Sequence, residues 1–128
     1  MPLLGWQPSV GAKSMTIREI ADNAKLDILA CPEAVDKEVT GGYASDLLSD
    51  VIANSKAGYL WITMQTHRNI VAVATLKELA AIVLVNGRTP DPETMEKAQE
   101  EKVVLLGSRL PAFELAGRLY QMGIRGTP

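Results

Sequence analysis

Cysteine is nearly missing from this chain. Cys31 stands alone among 128 residues, which excludes an intramolecular disulfide and a cysteine-rich metal site. A reduced, cytoplasmic setting is the expectation. Histidine is as scarce: His67 is the only one, and no carboxylate stands at ligand spacing beside it, so neither a metal nor any other cofactor is expected. Aromatic residues make up 5%, leaving Leu, Ile, Val and Ala to fill the interior. An excess of charge is lacking too. With 13 basic and 15 acidic residues the net charge is −2, which gives no electrostatic footing for nucleic acid. No apolar run approaches the ~20 residues of a membrane-spanning helix. The run from Ile70 to Leu76 is broken by Thr75 and closed by Lys77 and Glu78.

What remains is a globular composition, 47% hydrophobic and 22% charged, at a length that fits one domain. Residues 1–14, MPLLGWQPSVGAKS, are too polar for a signal peptide and are expected to be a disordered leader or remnant ahead of Met15. The domain is expected over 15–124, with 125–128 as a tail.

Elements alternate along the chain. Thr16 and Glu19 form a capping box that opens a helix through about Ala24, with Ile17, Ile20, Ala21 and Ala24 on one face. Leu26 to Ala30 reads as a strand that Pro32 ends. Thr40 to Ala44 reads as extended, and Ser45 and Asp46 stand where the N-cap of a helix to about Ser55 belongs. Tyr59 to Met64 is the clearest strand, with Tyr59 and Trp61 on one face as core residues. The next helix, about Arg68 to Leu79, is apolar all round, which predicts burial on more than one side and suggests a second subunit. Ala81 to Val85 reads as a strand covered on both faces. Asp91 and Pro92 open a charged, solvent-facing helix to about Glu101. Val103 to Leu106 is the last strand, and a helix from about Pro111 to Met122 ends at Gly123. This alternation predicts a three-layer α/β/α sandwich on a mostly parallel sheet of about four to five strands.

In such a sheet ligands sit outside the carboxyl ends of the strands. Polar residues cluster at the expected ends: Gly41, Gly42, Tyr43, Ser45 and Asp46 after one strand, and Gln65, Thr66, His67 and Asn69 after the next. Asn86, Gly87 and Arg88 follow, then Ser108 and Arg109. The paired glycine relieves backbone sterics for a positive φ or a close approach, so it suits either an anion-holding loop or a tight structural turn. His67, at a helix start, suits either a ligand contact or a cap. Cys31 has no neighbouring base that would activate it. Gly11-Ala12-Lys13-Ser14 lacks the adjacent Gly-Lys of a phosphate loop, and Thr16 to Ala21 lacks the second helix of a helix-turn-helix.

Three blocks in order, DKEVTGGYASDLLSDV, GYLWITMQTHRNIVAVA and VNGRTPDPETMEKAQEE, resemble the DRTGG domain family over about Met15 to Ile124. Asp36 and Gly41–Gly42 match the name-giving signature. Lys37 stands in place of its arginine, and Glu38 and Val39 precede Thr40. The resemblance implies an α/β domain similar to the N-terminal domain of HPr kinase/phosphorylase and to domains found beside CBS domains in regulatory pyrophosphatases. Stand-alone copies are associated with iron-only hydrogenase systems. It further implies a non-catalytic regulatory or ligand-sensing role, often homodimeric, toward a small anionic ligand such as a nucleotide or toward a partner protein. Two other readings remain open: a phosphoryl-transfer enzyme related to HPr kinase, and a structural adaptor of a redox complex.

Overall fold

A computed structural model describes residues 14–126. The expected leader therefore lies, except for Ser14, outside the described residues, as does the end of the expected tail. The Thr16–Glu19 capping box forms as the sequence predicts: the Glu19 amide donates to Thr16 Oγ1 (3.2 Å) and the Thr16 amide to Glu19 Oε1 (3.0 Å). It starts α1 (Ile17–Ala24), whose four apolar residues are all buried. Just before it, β1 (Met15–Thr16) pairs antiparallel with β3 (Glu38–Val39) in a small separate ladder.

The main sheet has five strands in the order β2-β7-β6-β5-β4. Four are parallel: β4 (Gly41–Ala44), β5 (Tyr59–Thr63), β6 (Ala81–Leu84) and β7 (Val104–Gly107). The fifth, β2 (Asp27–Ala30), lies antiparallel on the outer edge of β7, with Asp27 opposite Gly107. The sheet is thus mixed at one edge, and the start of β2 sits beside the carboxyl end of β7.

Because β4, β5, β6 and β7 are neighbours in chain order, right-handed crossovers carry all three connecting helices to one face. These are α2 (Leu48–Asn54), α3 (Asn69–Lys77) and α4 (Pro92–Glu101). Their buried Val51, Ile70, Val71 and Ala98 pack with Tyr59, Trp61, Ile82, Leu84 and Leu105. The alternate strand residues, Leu60, Ile62, Ala81, Val83, Val104 and Leu106, face α1 and α5 (Ala112–Gln121) on the other side. The result is the predicted three-layer sandwich.

Two readings of the sequence need correction. Helix α2 starts at Leu48, with Leu47 at the N-cap and no side-chain cap, instead of at Ser45–Asp46. Asp46 is drawn away because its carboxylate accepts hydrogen bonds from the end of β5. The apolar girth of α3 has a source within the chain. It is the middle helix of its layer, against the sheet and between α2 and α4, so it needs no second subunit to cover its sides.

Candidate functional site

The strand-end residues named from the sequence fall into three places. Gly41 and Gly42 lie inside β4, at the amino end of the strand, with Gly41 in register with Tyr59 and Gly42 with Leu60. Neither has a positive φ. A Cβ on Gly41 would stand 2.5 Å from Tyr59 Cε1 and 2.7 Å from the Arg125 carbonyl oxygen, and one on Gly42 would stand 3.2 Å from Ile124 Cγ2. The Gly42 amide donates to the Arg125 carbonyl (3.0 Å). The glycine pair therefore serves close approach, by the Tyr59 ring of β5 and by the Ile124–Arg125 segment that lies along β4.

At the carboxyl ends of β4 and β5, the expected residues do come together, and they bind one another. Asp46 Oδ1 accepts from Thr63 Oγ1 (2.8 Å) and from the Met64 amide (2.7 Å). Gln65 Nε2 donates to the Asp46 carbonyl (3.0 Å), and the buried Trp61 indole donates to the Ser45 carbonyl (2.8 Å). The Thr66 carbonyl accepts from Thr94 Oγ1 (2.7 Å) and from the Asp91 amide (3.2 Å), fixing the start of α4. His67 Nδ1 accepts from the Asn69 amide (3.1 Å), so this ring nitrogen caps the first turn of α3. Asn86 Nδ2 reaches Met64 Sδ (3.0 Å). Beneath this end, Tyr43 donates to Asp50 Oδ1 (2.8 Å), which also accepts from Asn54 (2.8 Å). The Tyr43 bond, then those from Ser45 and Asn54, hold the Asp50 carboxyl below the usual range, and the same bond pushes the Tyr43 phenol up.

The carboxyl ends of β6 and β7 differ. The chain leaves β6 toward α4 on one face and leaves β7 toward α5 on the other, so two adjacent strands exit to opposite sides. In an open α/β sheet that divergence makes a crevice. The two loops are stitched at its floor, where the Gly87 amide donates to the Ser108 carbonyl (2.8 Å) and the Asn86 amide to the Leu110 carbonyl (3.0 Å). Gly87 takes φ +66°, and no atom stands within 4 Å of where a Cβ would be. A cavity of about 220 Å³ opens here, lined by Asp27, Gly87, Arg88, Thr89, Ser108 and Arg109 among others. A second, of about 330 Å³, shares Asp27, Ser108 and Arg109 with the first and continues to Lys25 and Arg118. Sequence reasoning placed Arg88, Ser108 and Arg109 at this rim but missed Lys25, Asp27 and Arg118. They arrive through the antiparallel β2 and through α5, and alternation of strands and helices carries no sign of either placement.

Elsewhere, a cavity of about 340 Å³ lies at the amino ends of the strands, where Lys37 and Lys102 face Glu38, Glu78 and Glu101. An apolar hollow of about 120 Å³ lies between β4 and α5, beside Tyr43, Leu119 and Tyr120. Cys31 is buried. Burial and a hydrogen bond to Glu33 (3.3 Å) push its thiol up, away from thiolate chemistry. Among the described residues no group of His, Cys, Asp and Glu side chains converges as a metal site, and no helix is long and apolar enough to cross a membrane.

No family model and no curated protein matches the sequence. The fold is similar to that of the CBS and DRTGG domains in the regulatory region of Clostridium perfringens pyrophosphatase, a structure complexed with its activator, diadenosine tetraphosphate. The match has a TM-score of 0.71 at 15% identity and covers 94% of this chain and 55% of the other. The chain thus has a DRTGG-like fold and spans little more than half the length of the regulatory-region chain it matches.

Proposed function

We propose that this chain is a regulatory, ligand-sensing module that binds a small anionic ligand and carries out no chemistry of its own. The observation that carries the reading is the fold. Nearly the whole chain superposes on the regulatory region of an enzyme whose activator is a nucleotide. The local chemistry supports the same reading. Among the described residues the one cysteine is buried with a raised thiol, and His67 is occupied in capping α3. Among the described residues, Lys25, Arg88, Arg109 and Arg118 are cations near the strand ends with no ion-pair or side-chain hydrogen-bond partner. Thermal-shift screening against nucleotides and phosphorylated metabolites tests this: at least one should raise the melting temperature in a concentration-dependent way. A flat response across the set would contradict it.

Homodimerisation belongs to the same proposal. On α5, Phe113 is 87% exposed and Tyr120 is 49% exposed, and their seven-residue spacing puts both on one outward face. Sedimentation at micromolar concentration should give a dimer that Phe113→Ser converts to a folded monomer. A monomeric wild-type protein would remove the dimer from the proposal and leave the ligand.

A further inference from the structure

We infer that the crevice at the carboxyl ends of β6 and β7, with the adjoining cavity beside β2 and α5, is the binding site for a phosphorylated small molecule of nucleotide type, held by Arg88 and Arg109 in the first and by Lys25 and Arg118 in the second. The inference rests on the ligand-sensing reading above and gives it a place and a chemistry.

The first support is topological. β6 and β7 are adjacent parallel strands of the sheet whose following helices, α4 and α5, pack on opposite faces. The loops leaving β4, β5 and β6 all turn the same way, and those of β4 and β5 close over one another through Asp46, Thr63 and Gln65. Only the β6–β7 exit is left to gape, which is where open α/β sheets place ligands.

The second support is charge. Lys25, Arg88, Arg109 and Arg118 line two cavities that share Asp27, Ser108 and Arg109, and Asp27 is the one carboxylate on their walls. None of the four cations has an ion-pair or side-chain hydrogen-bond partner among the described residues, whereas Arg18, Arg68 and Lys97 are paired with Asp36, Glu93 and Glu100–Glu101. In a chain of net charge −2, four unneutralised cations around one crevice concentrate positive potential at a single place. The forked guanidinium groups match the paired oxygens of a phosphate, and Lys25 adds a compact point charge.

The third support is size and polarity. The cavities of about 330 Å³ and about 220 Å³ share Asp27, Ser108 and Arg109; each exceeds what a single phosphate needs, and the larger alone falls in the range that holds a small organic ligand. Ser108 is 5% exposed, and its Oγ accepts from the Leu110 amide (3.1 Å), which leaves its own proton to donate. Asp27, shared by both cavities, supplies an acceptor for a ligand hydroxyl, a contact that a nucleoside offers and inorganic polyphosphate does not.

Isothermal titration at physiological salt tests the inference, with ATP and inorganic tripolyphosphate as probes. ATP should bind, more tightly than tripolyphosphate. Arg88→Gln and Arg109→Gln should each weaken it roughly tenfold, since each removes a charge-assisted pair of hydrogen bonds. Arg68→Gln, at the start of α3, should leave it unchanged. All three side chains are exposed or part of the crevice wall, so the variants should fold, and circular dichroism melts check that they do. Absence of ATP binding overturns the inference, as does tripolyphosphate binding as tightly as ATP. Loss of affinity in Arg68→Gln but not in Arg109→Gln would also overturn it. In that last case the ligand sits at the β4–β5 end and the ligand-sensing reading survives.

Discussion

One rim of the sheet has two halves built on opposite terms. At the ends of β4 and β5 the polar residues are spent on one another: Asp46 holds Thr63 and Met64, Gln65 holds Asp46, and His67 holds the first turn of α3. At the ends of β6 and β7 the backbone stitches the floor, but the long cations above it have no partners among the described residues. Both halves look alike in sequence, as short polar runs after apolar strands. Topology separates them. Loops that exit to the same face lie side by side and bond across, whereas loops that exit to opposite faces leave a space between them. Polarity at a strand end is therefore available to a ligand only where the fold leaves it unsatisfied.

The largest effect on this contrast is expected from Asp46→Ala. It removes two charge-assisted hydrogen bonds and leaves the buried Thr63 hydroxyl without its acceptor, costing about 3 kcal/mol in urea unfolding. A cost within a few tenths of a kcal/mol would mean that the β4–β5 end is not held by its own polar residues. Next comes Gly41→Ala, in which the new Cβ meets Tyr59 and the Arg125 carbonyl, at about 2 kcal/mol. Gly42→Ala meets a movable Ile124 methyl at 3.2 Å and the Leu60 carbonyl at an ordinary van der Waals distance of 3.6 Å, and should cost about 1 kcal/mol or less. Equal costs at the two glycines would contradict the close-approach account.

Acid should distinguish the halves more gently. Asp50 has a folded-state pKa below its unfolded one, because Tyr43 and its neighbours hydrogen-bond the carboxylate. Its contribution to stability is therefore fully present above the unfolded value and is lost as pH falls through the folded one. The gap in melting temperature between wild type and Asp50→Asn should narrow as pH drops below about 4. A gap independent of pH would argue against the Tyr43–Asp50–Asn54 cluster. The smallest effect on stability belongs to Arg88→Gln and Arg109→Gln, within about 0.5 kcal/mol of wild type, because neither side chain has a partner to lose. A large loss there would make these arginines structural and erase the contrast.

Much of the fold was legible in the sequence, for reasons that can be named. The Thr16–Glu19 box, the β-branched run around Trp61, the covered strand Ala81–Leu84 and Pro92 at a helix start are local signals whose physics is complete within a few residues. What could not be read depended on distant partners. Asp46 is an ordinary cap residue until β5 lies next to it. The extended stretch at Gly41 and Gly42 reads equally as an anion site or a tight turn until Ile124 and Arg125 lie along β4. The apolar girth of α3 reads as an interface until α2 and α4 flank it. Lys25 and Asp27 join Arg109 only because β2 runs antiparallel beside β7. Arg88, Ser108 and Arg109 were visible as strand-end residues, and nothing local distinguished them from Gln65 and Thr66.

The most direct test of the divided rim is a backbone amide shift map recorded during titration with ATP. Shifts gathered on Gly87, Arg88, Gly107, Ser108 and Arg109, with Ser45, Asp46, Gln65 and Asn69 unmoved, are the predicted result. Shifts gathered on the second group, with the first unmoved, would contradict the division.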